Sequence, residues 1–354
     1  MDATWTLAIA GLGVGFVVGL TGMGGGALMT PILILIFHID PTKAVSSDLV
    51  VSLFMKPVGA YNHIRRGTVN WSLVKWLVIG SVPGAFIGVY IIKLMGNDEQ
   101  TQTFIKEALG VALLLSVGFM LVKALVSLRQ YYRDKAAGIA TERSTVLDVV
   151  ARPAPTIVVG LLGGIIVGMT SVGSGSLIIV GLLLLYPLLR ASDLVGTDLV
   201  QAVPLVGAAA LGHILIGDFV FETTAWLMVG AIPGAYLGSR VSSGTGQAGI
   251  VRRALALVLL ASGLKLLNVP PAWIVSILIA FVVLGPMLWA LARNTEGFTR
   301  SPHRVHGVTT AQLIWAAFTG IPPRYQRALR EGEPNAVDTS GATWTREDSA
   351  SDPL

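Results

Sequence analysis

Two stretches of the chain share one pattern: residues 76–88 read WLVIGSVPGAFIG, and residues 226–238 read WLMVGAIPGAYLG. Both hold Trp, Leu, Pro, Ala and glycines in the same register, at an offset of 150 residues. The match extends to polar residues that precede each stretch. These are Asp48 with Asp198 and His63 with His213. Such an internal repeat indicates two copies of one structural unit.

The composition places both units in a membrane. Of the 354 residues, 53% are hydrophobic and only 13% are charged, and the mean hydropathy is +0.72. A soluble domain has about twice that charged share, and continuous apolar runs of about 17 residues or more exceed a barrel strand. The sequence therefore predicts an all-α polytopic membrane protein. Nine apolar runs are the predicted segments: 5–37, 47–64, 73–92, 104–126, 156–186, 197–216, 223–239, 254–267 and 272–292.

Two of these runs are interrupted at matching places. Residues 21–26 read TGMGGG and residues 170–176 read TSVGSGS. Glycine at this density does not sustain a helix. The apolar piece after each break has about 11 residues, which at helical rise spans roughly half a membrane. Each interrupted run therefore either crosses once with a break or enters and returns on the same side.

The distribution of basic residues favours the re-entrant alternative. With both runs re-entrant and the N-terminus outside, 20 of the 25 Lys and Arg residues fall on the cytoplasmic side. A single crossing by the second run would move the linker or the tail outside, against the positive-inside rule. Each unit then has three full crossings. An odd number of crossings makes the second unit an inverted copy of the first, as in many transporters.

The predicted organisation follows from these crossings. It comprises a first membrane repeat at 1–126, a basic cytoplasmic linker at 127–155, a second, inverted membrane repeat at 156–267, an extra C-terminal transmembrane helix at 268–292 and a cytoplasmic tail at 293–354. Within the tail, Val308–Gly320 is predicted to be an interfacial helix or a minor contact, and the last twenty residues are expected to be disordered. Because no basic residue precedes the first apolar run and no A-x-A site follows it, we do not expect a cleaved signal peptide.

The two breaks are the candidate substrate site. Each precedes a short helix predicted to start near Ala27 or Leu177, and a helix N-terminus offers N–H groups and a positive dipole end. Because neither break contains a carboxylate, we expect an anion rather than a metal or sodium ion, although a glycine-lined helix crossing is the alternative. The candidate binding residues are Thr21, Gly22, Gly24, Gly25, Gly26, Thr170, Ser171, Gly173, Ser174, Gly175 and Ser176, together with Lys56.

Lys56 lies near the middle of the 47–64 segment, and its counterpart in the second repeat is Val206. An unpaired lysine at the bilayer centre costs about 2.5–3.5 kcal/mol on insertion scales. Intramembrane charges usually mark a pathway, so we expect Lys56 to attract the anion. The alternative is a lysine that bonds a carbonyl freed near Pro57.

Four residues are candidates for proton coupling: Asp48, Asp198, His63 and His213. Asp48 and Asp198 are predicted at the starts of helices, where an aspartate ordinarily acts as a cap. The histidines are predicted near helix ends, where a bond to a terminal carbonyl competes with a proton relay. The glycine ladders 80/84/88 and 230/234/238 are predicted to serve close helix packing.

The glycine-rich breaks, the turns Ser46-Ser47-Asp48 and Gly196-Thr197-Asp198 and the Pro-Gly-Ala-x-x-Gly helices together resemble the sulfite exporter TauE/SafE family. The resemblance covers roughly residues 8–268. It implies a bacterial inner-membrane carrier that exports a small anion, often sulfite or an organosulfonate and in some members another organic anion.

Other functions remain open from the residues alone. An importer or a passive anion channel would use the same site chemistry. A membrane-embedded enzyme is less favoured, because the polar candidates are scattered and show no ligand spacing. The absence of cysteine excludes thiolate catalysis, disulfides and iron–sulfur ligation. We expect no cofactor, no resident metal and no nucleic-acid partner, and the net charge of +5 is attributed to cytoplasmic loops.

Overall fold

The structure is a computed structural model, and it describes residues 3–21, 26–96, 98–136, 150–186, 191–216, 219–242, 248–300, 336–337 and 343–344. Within these ranges the chain is almost entirely helical. The helices are α1 (Ala3–Thr21), α2 (Gly26–Leu35), α3 (Pro41–Arg65), α4 (Trp71–Met95), α5 (Glu99–Ala136), α6 (Pro153–Thr170), α7 (Leu177–Leu185), α8 (Ala191–Ile216), α9 (Phe221–Ser242), α10 (Ala248–Leu266) and α11 (Pro271–Arg300).

Four of the described helices contain a stretch long and apolar enough to cross a membrane. These stretches are Trp71–Met95, Glu99–Val126, Pro153–Thr170 and Leu194–Leu215. Three shorter apolar stretches, Trp5–Leu20, Gly26–Leu35 and Pro271–Gly285, accompany them. Together with the many large apolar side chains on the outer surface, they make the chain an all-α, multi-pass membrane protein.

The first helix of each repeat packs against a helix of the other repeat. Helix α1 packs against α9 of the other repeat, and its counterpart α6 packs in the same way against α4. In the second pair, a Cβ at Gly84 would overlap the carbonyl oxygen of Leu161, and one at Gly164 would overlap that of Ser81. Gly234 and Gly15 make the equivalent approaches in the first pair. The predicted role of the glycine ladders in close packing therefore holds in both pairs.

Helices α3 and α8 occupy the centre of the repeats. They pack against each other. Helix α3 also packs against α9 of the second repeat, and α8 packs against α4 of the first. The short helices flank this pair, because α2 packs on α3 and α7 packs on α8. Side chains of α3, α4, α7 and α8 form the largest described core, with Leu49, Leu182 and Leu205 almost completely buried. The breaks are thereby held against the two central helices.

Some helix boundaries differ from the sequence prediction. Helices α3 and α8 begin six residues earlier than the predicted runs at 47 and 197. At the start of α3 the polar residues Thr42 and Ser46 are buried, so hydropathy does not mark this part of the helix. Helix α5 continues to Ala136, within the predicted linker. The segment Val308–Gly320 lies outside the described residues.

The chain divides into two compact units. The first comprises residues 1–123 and 144–271, and the second comprises 124–143 and 272–354. The second unit contains most of α11 and an antiparallel pair of two-residue strands, β1 (Ala336–Val337) and β2 (Thr343–Trp344). These four residues lie within the last twenty residues of the chain, and the expected disorder of that segment stays a prediction.

Candidate functional site

A polar stripe runs along the apolar helix α3. Asp48, Ser52 and Lys56 follow one another at a spacing of four residues, which keeps them on one side of the helix. All three are buried, and Lys56 is only 6% exposed. Since α3 begins at Pro41, Asp48 lies in its third turn rather than at its start. Asp198 has the same place in α8, so the prediction that these aspartates cap helix starts is wrong.

The second break, residues 171–176, has a backbone that ordinary residues avoid. Ser171 ends α6 in the left-handed region with φ 59°, and Gly173 has φ 111°. Such a conformation is costly for a serine and persists where the surroundings fix it, often at functional sites. The adjacent Thr170 hydroxyl donates to the carbonyl of Ile166 at 2.7 Å, so it serves the end of its own helix.

The carboxylate of Asp48 lies directly against this break. Its Oδ2 accepts hydrogen bonds from the hydroxyls of Ser171 and of Thr30 on α2, the latter at 3.0 Å. Ser52 Oγ donates to Oδ1 at 3.4 Å. Neither break contains a carboxylate in sequence, but α3 places the carboxylate of Asp48 against the second break. The anion argument therefore cannot rest on the absence of negative charge.

Lys56 reaches the same break from the same helix. Its ammonium donates to Ser174 Oγ at 2.6 Å. The sequence alternative, a bond to a carbonyl freed near Pro57, is not the contact that is formed. The Asp48 carboxylate therefore contacts the second break at Ser171, and the Lys56 ammonium contacts it at Ser174, three residues further along the chain. Both charges come from one side of α3.

Asp198 forms the other acidic position of the site. Its Oδ1 accepts a hydrogen bond from Gln201 Nε2 at 3.0 Å, and Gln201 Oε1 accepts one from Ser81 of α4 at 3.4 Å. Lys56 interacts electrostatically with both Asp198 and Asp48, and Lys123 of α5 also acts on Asp198. Among the described side chains, Lys56 makes no direct ion pair with either carboxylate. Two carboxylates and two ammonium groups therefore act on one another in this region, although Lys56 contacts neither carboxylate directly.

The first break meets the second where the short helix α2 begins. A Cβ on Gly26 would overlap the carbonyl oxygen and the hydroxyl of Ser171, so only glycine permits this approach. Thr30, one turn further along α2, lies 3.0 Å from Ser171 Oγ. Thr21 ends α1, whereas Gly22, Gly24 and Gly25 lie outside the described residues.

The remaining residues of the second break make the turn into α7, which starts at Leu177. Ser176 Oγ donates to Ser116 Oγ of α5 at 3.1 Å. Gly175 lies between Ser174 and Ser176 in this turn. The turn is therefore joined to α3 through Ser174 and to α5 through Ser176.

The two histidines contact other parts of the protein. His213 is fully buried and its Nε2 donates to the carbonyl of Gly168 at 2.9 Å, which joins α8 to α6. His63 is half-buried and its Nδ1 lies 2.9 Å from Thr68 Oγ1. Neither of these contacts involves Lys56 or the aspartates.

Five residues of the site were missed from the sequence: Thr30, Ser52, Ser81, Lys123 and Gln201. One signal could have found Ser52, because Asp-x-x-x-Ser-x-x-x-Lys on an apolar helix places three polar groups on one side. Gln201 follows Asp198 by three residues and carries a similar signal. Thr30, Ser81 and Lys123 come from other helices, and only the packing brings them close. Among the described residues, no group of three His, Asp or Glu side chains is arranged to hold a metal ion.

Comparison with known proteins finds a matching family and several relatives. The family described as "Sulfite exporter TauE/SafE" matches residues 7–266. "Probable membrane transporter protein YjnA" of Bacillus subtilis is 36% identical over 263 residues, which is 74% of this chain and 99% of that protein. "Probable membrane transporter protein YdhB" of the same organism is 25% identical over 65% of this chain and 86% of its own length.

A more distant relative is archaeal. "Probable membrane transporter protein MJ0441" of Methanocaldococcus jannaschii is 27% identical over 52% of this chain and 64% of its own length. No solved structure matches the chain. The matched region spans both repeats and ends at the last residue of α10.

Proposed function

Because the chain belongs to the sulfite exporter TauE/SafE family and is a membrane transporter, we propose that it is a secondary transporter of a small oxyanion. The proposed substrate is sulfite or an organosulfonate, bound where the two breaks meet and released by export. The substrate type and the outward direction rest on the family description. The case for an anion rests on the site.

The hydrogen bond between Lys56 and Ser174 is the observation that carries the proposal. A buried ammonium that makes no direct ion pair among the described side chains, held at a helix break by a neutral hydroxyl, offers one full positive charge to an entering anion. The nearby N-terminus of α7 adds a positive dipole end. An anion that displaces the hydroxyl would give Lys56 a charge-assisted partner.

Glycine and hydroxyl groups complete the proposed site. The candidate ligands are Gly173, Ser174, Gly175 and Ser176 of the second break and Gly26 at the start of α2, with Ser171 at the contact between them. Thr21, Gly22, Gly24 and Gly25 remain candidates from the sequence. Thr170 is the weakest candidate, because its hydroxyl is used by the backbone of α6.

We also propose the inverted topology. The packing of α1 and α6 against helices of the other repeat supports a two-fold relation of the two units. In this topology the chain lies in the bacterial inner membrane with seven full crossings, two re-entrant hairpins, an external N-terminus and a cytoplasmic C-terminus. The proposed boundaries are those of the sequence analysis, with the first repeat extended along α5.

Counterflow in proteoliposomes tests the proposal. Radiolabelled sulfite, sulfate, thiosulfate, methanesulfonate and acetate are screened against vesicles loaded with the same unlabelled anion. We expect saturable exchange of sulfite or methanesulfonate, and the Lys56→Met variant should exchange about tenfold more slowly or worse, since a tenfold effect corresponds to only about 1.4 kcal/mol.

Lys93→Met is the matched control, because Lys93 lies exposed at the end of α4. It should exchange at the wild-type rate. If a monodisperse wild-type protein exchanges none of the five anions, the anion-transport proposal is wrong. Full activity of the Lys56→Met protein would show that Lys56 is not part of the site.

A further inference from the structure

The surroundings of Asp48 limit how the site can bind an anion. The side chain is fully buried, and its Oδ2 accepts hydrogen bonds from the Thr30 and Ser171 hydroxyls. These two hydroxyl oxygens also lie 3.0 Å from each other. The carboxylate, the start of α2 and the second break therefore form one connected polar network.

This network has fewer hydroxyl hydrogens than it has acceptors once an anion enters. Each hydroxyl has one hydrogen to donate, and an ionised carboxylate can only accept. While Asp48 is ionised, the hydrogens of Thr30 and Ser171 point to its Oδ2. An oxyanion is likewise an acceptor, so Ser171 cannot donate to it at the same time. A protonated Asp48 would instead donate to a hydroxyl oxygen and leave the Ser171 hydrogen free.

We propose that Asp48 is the proton-coupling carboxylate of the transporter: it takes up one proton when an anion binds, and Ser171 then turns its hydroxyl hydrogen from Asp48 to the anion. The proton adds to a carboxylate oxygen and no other covalent bond changes. This inference rests on the proposed anion site. It selects Asp48 from the four coupling candidates, because Asp48 accepts a hydrogen bond from Ser171 of the second break.

The balance of charges supports uptake of a proton. Lys56 on α3 acts electrostatically on Asp48 and Asp198, and Lys123 on α5 acts on Asp198. With both lysines protonated and both aspartates ionised, the formal charges of these four groups sum to zero before an anion enters. The other helices around Asp48 add little charge: α2, α6 and α7 contain no charged residue, and α9 has Glu222 and Arg240 in its first and last turns. An entering anion would leave one unbalanced buried charge, which is costly, and a proton on Asp48 removes that charge.

Binding of methanesulfonate to the purified full-length chain tests the inference. This sulfonate stays a monoanion between pH 5 and pH 9, so only the protein titrates. Because one proton is taken up with the anion, we expect wild-type affinity to fall about tenfold per pH unit above the titration of Asp48 and to level off below it. The Asp48→Asn variant, which is always neutral at this position, should lose this slope at pH values where Lys56 stays protonated.

Two variants serve as controls. Asp198→Asn should keep the wild-type slope with pH, whatever its affinity. Asp40→Asn changes an exposed aspartate that pairs with Lys43 at 2.5 Å and should leave the binding curve unchanged. A wild-type slope in Asp48→Asn, or a flat curve in Asp198→Asn, overturns the assignment to Asp48.

Calorimetry of the wild type gives a test that needs no variant. At a pH where Asp48 is ionised and Lys56 is protonated, titrations in buffers of different ionisation enthalpy count the protons exchanged with the solvent, and uptake of one proton per methanesulfonate is expected. Binding with no proton uptake overturns the inference but leaves the anion site intact. If the wild type binds no methanesulfonate at any pH, the anion site itself fails for sulfonates and the inference fails with it.

Discussion

Ser174 places a neutral group next to Lys56, because its hydroxyl oxygen is 2.6 Å from the ammonium. An aspartate at this position would place a carboxylate within ion-pair distance of Lys56. The lysine would then have a permanent partner inside the protein. An entering anion would have to displace that partner and would also meet its negative charge.

We therefore expect Ser174→Asp to weaken methanesulfonate binding by about tenfold or more, the equivalent of about 1.4 kcal/mol. Ser174→Asn has a similar shape without the charge and should bind much more tightly than Ser174→Asp. Isothermal titration of the two folded variants measures the difference. Equal affinities would show that the charge at position 174 does not act on the anion.

At the scale of single residues, the sequence revealed part of the site. Lys56 was predicted to have a special role, because a charge within an apolar run has few explanations. The contacts of Asp48 with Thr30 and Ser171 could not be predicted in the same way. They join three segments that are far apart in the chain, and nothing in the residue types sets how α2 approaches the second break.

At the scale of helices, the pairs α1–α9 and α4–α6 are held by repeated contacts between glycine and backbone carbonyl oxygens. At Gly84 a methyl group would meet the carbonyl of Leu161, which is backbone and cannot turn away. Gly118 on α5 has no atom within 4 Å of such a group. The two positions therefore separate the effect of helix packing from that of helix propensity.

Gly84→Ala should destabilise the protein by about 1–3 kcal/mol, because overpacking of a tight contact outweighs the gain in helix propensity. Gly118→Ala should be neutral or stabilising by up to about 1 kcal/mol. Unfolding of both variants in detergent, followed by tryptophan fluorescence, measures this difference. Identical stability of the two variants would contradict the tight packing at Gly84.

The positions of the helix breaks were predictable, because glycine and hydroxyl residues interrupt apolar runs at matching places in both repeats. Helices α2 and α7 begin at Gly26 and Leu177, next to the predicted starts. The starts of α3 and α8 were predicted too late. Hydropathy does not detect a first turn such as Thr42–Ser46, where the buried residues include hydroxyls.

At the scale of the whole molecule, the family resemblance predicted from the repeated motifs is confirmed over residues 7–266. The sides of the membrane remain a prediction that the cysteine-free chain makes simple to test. With Asn97→Cys, a membrane-impermeant maleimide should label intact cells. With Ala140→Cys, labelling should require permeabilisation, because position 140 lies in the predicted cytoplasmic linker.

Both single-cysteine proteins should first show wild-type counterflow, so that the labelling reports a functional fold. Labelling of Ala140→Cys in intact cells would contradict the proposed topology. Labelling of Asn97→Cys only after permeabilisation would contradict it equally. The unmodified chain, which has no thiol, is the control for background labelling.

The glycine contacts also determine which parts of the protein can move. Helix α1 is bound tightly to α9, and α6 to α4, so each tightly bound pair takes one helix from each of the two repeats. The two halves consequently cannot rock against each other as separate lobes, since such a motion would pull both pairs apart. The moving bodies of a transport cycle must instead be mixed pairs that travel as single blocks. The surface that slides would then be the one next to Lys56, where side chains such as those of Lys56 and Ser174 meet.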